Sequence, residues 1–456
     1  MRFRTIVAIF ACKVTRFALR VLRRGGTALP GKVAVGICPD LLRRLAQGVD
    51  CAAITGTNGK TTSARMLEQY FVDSGVGYIS NKSGSNLMQG ITAEFALAST
   101  ATGKPKRKYA VIECDEAASK KVFEFIGPKV VLVTNVFSDQ AGLIGGVGET
   151  VENIRTGLKN SPNAVVCLNA DDPLVSSIAD DIANRVVFFG VEDGVFANGA
   201  DDLSDAQQCA RCASGYEYDY KTYGHLGGFR CPSCGMARVS PGVAATELIE
   251  RDADSQTVRI RAAEEVADVT INIPGGYNIY NAVGVIAAAM EMGFSLEAAK
   301  GAMLRFERGF GRMEKLVLDG LPVRLILAKN PAGCNQVISY LCGVSGDALF
   351  VVCLSDRVAD GTDVSWIWDA GFERLLDMGG RLQGVLVAGS RAVDMARRLE
   401  QAGISGERVS VFEDYGEMLD AMLKQDAPVY VMPTYTAMLE LRSAISRRFG
   451  IKEYWE

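Results

Sequence analysis

The chain has 456 residues, enough for two or three domains. A hydrophobic share of 48% excludes a disordered chain, and a net charge of −4 gives no general case for nucleic-acid binding. Twelve cysteines without a small disulfide scaffold point to a reducing, cytoplasmic compartment, and the single histidine, His225, excludes a histidine-based triad elsewhere.

Residues 2–24 set Arg2, Arg4, Lys13, Arg16, Arg20, Arg23 and Arg24 among Ile6, Val7, Ile9, Phe10, Val14, Phe17, Leu19 and Val21. The apolar run from Thr5 to Cys12 is too short to span a bilayer. Basic residues continue where a signal peptide would be cleaved, and no A-x-A site follows. The pattern predicts a basic amphipathic helix. It either lies on an anionic surface at the inner face of the cell membrane or packs on its domain with a solvated basic face. Gly25-Gly26 and Leu29-Pro30-Gly31 follow, then a short helix-like Pro39–Leu45.

The apolar run Cys51–Ile54 leads into Thr55-Gly56-Thr57-Asn58-Gly59-Lys60-Thr61-Thr62, and a helix-like stretch begins at Ser63. Strand, Gly-rich turn and helix start form a phosphate cradle, whose N–H groups and helix N-terminus face the anion. Lys60 reaches terminal phosphates and Thr61 offers a hydroxyl to magnesium, so ATP is the expected ligand. The loop departs from the strict G-x-x-x-x-G-K-[ST] form, because Ile54 stands where the first glycine would be.

Strand-like runs recur at 109–112, 130–134, 164–168 and 186–189 with helical patterns between them, which predicts a parallel α/β sheet. From about 205 to 240 the texture shifts to Cys, Gly, Tyr and Ser, as in an insertion. There Cys209-x-x-Cys212 and Cys231-x-x-Cys234 form two knuckles at zinc-ribbon spacing. Four thiolates close a tetrahedral shell, so a structural zinc site is expected. His225 lies between the knuckles without being needed as a ligand, and is expected in a turn or on the surface. The insertion carries Glu217 and Asp219 against Arg211, Lys221 and Arg230, too mixed for nucleic-acid binding. Residues 256–273 alternate like antiparallel strands, and 277–292 reads as a helix. A second α/β set starts near Leu321, with strands at 323–327, 348–354, 384–388, 409–412 and 429–432 and helices at 392–401 and 437–448.

Several strings together resemble the Mur ligase family, which includes folylpolyglutamate synthase. They are Thr55–Thr62, Glu113-Cys114-Asp115-Glu116, Thr134-Asn135 with Asp139, Leu168–Pro173, Tyr277–Ala282 and Gly311-Arg312-Met313-Glu314. The resemblance implies an enzyme that activates a carboxylate with ATP and then joins it to an amine. It assigns nucleotide contacts to Thr57, Asn58, Gly59, Lys60, Thr61, Thr62, Asn278, Asn281 and Arg312, and magnesium to Thr61 and Glu113. Gln140 replaces a histidine that binds magnesium in many members, which leaves a second metal site open. About fifty residues precede the loop, short of the family's UDP-binding domain.

The four-cysteine insertion and the C-terminal strings Lys329–Gly333, Ala359–Asp369 and Pro433–Leu439 are similar to the MurT-type branch. That similarity implies ATP-dependent amidation of the α-carboxyl of D-glutamate in the lipid II stem peptide, in peptidoglycan biosynthesis. A GatD-type glutamine amidotransferase partner would supply ammonia. Lys60 and Glu113 would act in catalysis together with an aspartate that completes the partner's active site. Asp363 is the best match for it and Asp360 the next. A folylpolyglutamate synthase-like ligase and a zinc-ribbon module with a vestigial nucleotide site are the competing readings. The expected architecture is α/β. An N-terminal basic segment (1–48) precedes a Mur ligase-type P-loop ATPase domain (49–318) with the ribbon inserted at 205–240. A Rossmann-like α/β domain (319–456) follows.

Overall fold

The computed structural model describes residues 2–21, 28–81, 85–138, 146–195, 206–307, 309, 311–357, 360 and 362–451. The chain divides into two compact units. The first runs over Met1–Phe137, Val147–Asn198 and Ala206–Phe306, the second chiefly over Glu307–Glu456.

The first unit holds β1 (Asp50–Thr55), β2 (Tyr78–Ser80), β3 (Tyr109–Glu113), β4 (Val130–Val133), β5 (Val165–Asn169) and β6 (Val186–Val191). After these come β7 (Glu217–Tyr223), β8 (Leu226–Arg230), β9 (Val243–Arg251), β10 (Gln256–Ala262) and β11 (Glu265–Ile271). Nine of these strands form one sheet in the order β11-β10-β9-β6-β5-β4-β1-β3-β2, and β7 and β8 pair separately. The expected runs at 51–54, 109–112, 130–134, 164–168 and 186–189 are its parallel strands. They read as continuous apolar segments because helices cover both faces. The alternating run 256–273 is the antiparallel pair β10–β11, as expected.

Register places the site. Ile54 of β1 lies opposite Glu113 of β3, and Thr55 lies opposite Val133 of β4. The carboxyl ends of three neighbouring strands therefore meet where the chain passes from one side of β1 to the other, the usual crevice for a ligand in such sheets.

The predicted N-terminal helix spans Arg2–Val21 and joins the core of this unit through Ala8, Ile9 and Cys12. The Leu29-Pro30-Gly31 stretch, to which no element was assigned from sequence, lies inside a second helix, Ala28–Ile37. Pro30 falls in its first turn, where no N–H is needed. Gly31 is there for close approach: a Cβ would overlap the carbonyl oxygen of Gln89, in the helix Met88–Leu97.

The second unit holds β12 (Arg312–Leu318), β13 (Leu321–Ile326), β14 (Ala348–Cys353), β15 (Leu382–Ala388), β16 (Val409–Val411) and β17 (Val429–Pro433). Their order is β12-β13-β17-β14-β15-β16, parallel except for the β12–β13 hairpin. The Gly311–Glu314 string opens this hairpin. The Glu314 carboxylate accepts from Gly311 N–H at 3.2 Å and pairs with Arg442 at 3.2 Å, on the helix Tyr435–Phe449.

Candidate active site

The phosphate loop is built against the end of β4. Gly56 has φ 119°, and a Cβ there would stand 2.7 Å from the Asn135 carbonyl oxygen and closer still to Thr134 Oγ1. Only glycine fits both the dihedral and the space. Thr57 N–H donates to the Asn135 carbonyl at 2.9 Å. Asn58 is clamped by Asn135, whose Oδ1 accepts from Asn58 N–H at 2.9 Å and whose Nδ2 donates to the Asn58 carbonyl at 3.0 Å. Thr134 Oγ1 donates to that same carbonyl at 2.8 Å. Thr134 and Asn135 thus shape the loop, while Asp139 and Gln140 lie outside the described residues.

The helix Lys60–Asp73 starts from Gly59, and Ser63 N–H makes its first bond back to the Gly59 carbonyl at 2.8 Å. The N–H groups of Lys60, Thr61 and Thr62 precede that bond, as an anion site requires. Thr61 Oγ1 donates to Glu113 Oε2 at 2.9 Å, so the two expected magnesium ligands are brought together. Glu113 is 7% exposed; its N–H and carbonyl are bonded by the Asn81 amide, and Asn86 Nδ2 approaches Oε1 at 3.5 Å. The Lys60 ammonium pairs with Glu116 at 2.6 Å and donates to the carbonyls of Gly56 and Thr57.

This cradle fits the phosphates of a nucleotide and a hard cation. Gly56 and Gly59 leave backbone free of side-chain bulk, three helix N–H groups face one end, and a hydroxyl and a carboxylate supply oxygen donors.

Asn278 and Asn281 sit one turn apart on the helix Gly276–Met292, both buried. Asn281 stands over the loop, because a Cβ on Gly59 would overlap its Oδ1. Asn278 Nδ2 donates to the Pro274 carbonyl at 2.6 Å, and its Oδ1 accepts from Asn281 Nδ2 at 3.1 Å. Asn278 therefore orients Asn281. Arg312 opens β12, and its side chain lies outside the described residues.

The string around Asp171-Asp172 is a brace. Asn169 Nδ2 donates to the Thr134 carbonyl at 3.1 Å, and Asp172 Oδ2 accepts from Val136 N–H at 2.9 Å. Fully buried Asp171 accepts from Arg238 Nε at 2.6 Å, Tyr280 OH at 2.7 Å and Val191 N–H at 2.8 Å. Burial pushes its pKa up to about 6, against the pull of Arg238 and the two other donors.

The four cysteine thiols come together as expected. Their sulfurs all lie within 4.8 Å of one another, with Cys209–Cys234 at 3.6 Å and Cys212–Cys231 at 3.5 Å. A tetrahedral zinc thiolate site would separate sulfurs by about 3.8 Å, so the cluster fits that ion. The two knuckles are copies of one another. Cys209 N–H bonds the Ser214 carbonyl and Cys231 N–H the Met236 carbonyl, both at 2.7 Å; Ala213 and Gly235 return N–H groups to the Cys209 and Cys231 carbonyls. Backbone N–H donation at Ser214 lowers the Cys212 thiol to about 6, whereas Cys234, despite N–H donation at Met236, is pushed up to about 12 by desolvation and the neighbouring sulfurs.

His225 takes one of the two expected placements. It does occupy the β7–β8 turn, but it is fully buried rather than on the surface. Its Nε2 meets Asp172 Oδ1 at 3.3 Å, and its ring lies 4.6 Å from that of Phe137. Tyr223 stacks on the same Phe137 at 5.7 Å. Phe137 in turn exchanges two bonds with Thr57, 3.0 and 3.1 Å. The tip of the ribbon hairpin thus packs behind the phosphate loop. The signal was the aromatic run around a lone histidine, which spacing alone could not place.

In the second unit Asp363 is exposed, and its Oδ1 accepts from Ser365 N–H at 2.8 Å, which lowers its pKa. Asp360 Oδ1 instead accepts from Thr436 N–H at 2.7 Å, capping the helix Tyr435–Phe449 from outside.

Strand order, phosphate loop and the Thr61–Glu113 pair define a Mur-type ligase fold. The family description "Mur ligase middle domain" matches residues 54–289, and "MurT ligase C-terminal" matches 327–438. The chain is 33% identical, over 98% of both lengths, to the MurT subunit of the glutamine-hydrolysing lipid II isoglutaminyl synthase of Streptococcus pneumoniae. Among solved structures it resembles MurF of Acinetobacter baumannii, with TM-score 0.65 and 17% identity over 90% of this chain and 80% of that one. It also resembles Mycobacterium tuberculosis folylpolyglutamate synthase complexed with ADP and AMPPCP, with TM-score 0.61 and 14% identity over 98% and 96%. The chain belongs to the MurT family of Mur ligases.

Proposed function

We propose that this chain is the ATP-dependent half of a lipid II isoglutaminyl synthase, amidating the α-carboxyl of D-glutamate in the stem peptide. The carboxylate takes the γ-phosphoryl group of ATP, giving an acyl phosphate and ADP. Ammonia then attacks the acyl carbon, inorganic phosphate leaves, and the nitrogen sheds a proton. The observation that carries this reading is the 2.9 Å Thr61–Glu113 pair at the start of the Lys60 helix, in a chain of the MurT family.

Each residue has a definite task. The loop N–H groups and Lys60 bind and orient phosphate oxygens. Thr61 and Glu113 would hold magnesium, which offsets charge on the transferring group. Asn281 limits how far the nucleotide side of the loop can move. The ribbon would hold zinc structurally, because four thiolates leave no position for water.

Ammonia would come from a GatD-type glutaminase. This chain's one histidine is fully buried against Phe137 and Asp172, where solvent and substrate do not reach it. The exposed Asp363 is available to a partner, whereas Asp360 is half-buried with one oxygen held by Thr436 N–H and the other shielded from solvent, which favours Asp363 as the aspartate that orients the partner's histidine.

The test is reconstitution with a GatD-type partner, ATP, glutamine and lipid II, followed by mass analysis. The expected product has one carboxyl replaced by an amide and needs both chains. Unmodified lipid II in the presence of a demonstrably active glutaminase would overturn the reading. Asp363→Asn should abolish glutamine-dependent amidation while leaving ATP binding intact, and surviving glutaminase activity would refute its role.

A further inference from the structure

The solvent face of the helix Arg2–Val21 is apolar where an ordinary surface helix is polar. Phe3, Phe10, Phe17 and Val21 are 78%, 69%, 69% and 65% exposed, and Ile6 and Val14 join them. At this spacing the six side chains share one stripe about 80° wide. The opposite face buries Thr5, Ala8, Ile9 and Cys12, so the helix is already anchored in its unit. The stripe is left over.

Charge says what fits it. The helix carries Arg4, Lys13, Arg16 and Arg20 and has no acidic residue. A second basic element lies beside it. The segment 100–108 contains Lys104, Lys106, Arg107 and Lys108, all exposed, with no acidic residue. Its Gly103 sits against Thr5 and Ile9, and Lys13 Nζ donates to the Ser99 carbonyl at 2.8 Å just before it. This concentration of positive charge occurs in a chain whose net charge is −4. An apolar stripe with a basic surround matches acyl chains beneath anionic headgroups. Two copies meeting through the stripe would instead bring like charges together. No described helix is long and apolar enough to cross a membrane, so the element lies on a surface.

We propose that this face seats the chain on an anionic lipid bilayer. The six apolar side chains enter the boundary between headgroups and acyl chains, and the Lys104–Lys108 segment meets lipid phosphates. The inference does not depend on which carboxylate is amidated.

Flotation of the full chain with its partner tests it, using vesicles of phosphatidylglycerol mixed with phosphatidylcholine against phosphatidylcholine alone. The protein should float with the anionic vesicles only, and high salt should weaken the association. Phe10→Ser with Phe17→Ser should reduce binding by more than about tenfold, and Lys104→Ala with Lys106→Ala by about fivefold per residue. Both variants should melt like the parent, since the altered side chains are exposed. Failure of the parent to float, or undiminished flotation of the Phe10/Phe17 variant, overturns the proposal. So does a change in oligomeric state or loss of the partner in that variant, because the stripe would then belong to a protein interface.

Discussion

Replacing Gly56 by alanine probes the phosphate loop where it has least room. At φ 119° an L-residue is strained by about 1–3 kcal/mol. The new Cβ would also press on the Asn135 carbonyl at 2.7 Å and on Thr134 Oγ1. The loop can relieve that only by withdrawing from β4, which loosens the bond from Thr57 N–H to Asn135 or that from Thr134 to the Asn58 carbonyl. Each bond contributes about 1 kcal/mol, so the total cost is about 2–5 kcal/mol. Denaturant unfolding would measure the stability loss, and calorimetry the ATP affinity, which should fall at least about tenfold because the N–H groups lose their alignment. Gly48→Ala is the control. It has φ 76° but nothing within 4 Å, so it carries backbone strain alone and should leave ATP binding unchanged. If the two variants behaved alike, the crowding at Thr134 and Asn135 would not be what shapes the loop.

Three other outcomes are expected. His225→Ala should cost about 2–4 kcal/mol through lost packing on Phe137 and weaken ATP binding through Thr57; unchanged affinity despite the stability loss would disconnect the ribbon tip from the loop. Elemental analysis should find one zinc per chain, lost in Cys231→Ser, and a metal-free parent with four reduced thiols would refute the zinc assignment. Asp171 keeps its proton to about pH 6 when folded but releases it near 3.8 when unfolded. Folding then takes up a proton between those values, so this group's stabilisation is complete below about pH 4 and falls by up to about 3 kcal/mol as pH rises to 6. Asp171→Asn should remove that slope from denaturation curves, and an unaltered slope would contradict it.

Local strings were legible in the sequence and remote packing was not. The phosphate loop, Glu113 and the two cysteine knuckles each declare themselves by residue type at fixed spacing, and the fold brings their partners together as expected. Most parallel strands of both sheets were legible because strands buried on two faces are unbroken apolar runs, whereas β2, β9 and β12, which are short or half-exposed, were not expected. The turn at His225 was legible, but its burial was not, because that depends on Phe137 and Asp172, which lie far away in the chain. The helix Ala28–Ile37 was not anticipated: Pro30 falls in its first turn, and Gly31 faces Gln89, which is remote in the chain. Amphipathicity of the first helix was visible, but which face the fold would bury was not. The sequence left open an anionic-surface helix or one packed with a solvated basic face, and the structure leaves an apolar stripe exposed.

Gly31 lets the helix Ala28–Ile37 rest directly on the backbone of Gln89. The helix containing Gln89 begins two residues after Asn86, whose amide approaches Glu113 and whose carbonyl accepts from Asp115 N–H at 3.1 Å. Because Ala28–Ile37 packs in turn on the helix Arg2–Val21, a continuous set of contacts runs from that N-terminal helix to the Glu113 carboxylate. With that helix resting on a bilayer, the frame would act as a height gauge. Glu113 would ride at one set level above the lipid, and only the portion of a tethered peptide reaching that level would meet the phosphate loop. A larger residue at Gly31 would change the level, and with it the carboxyl presented for reaction.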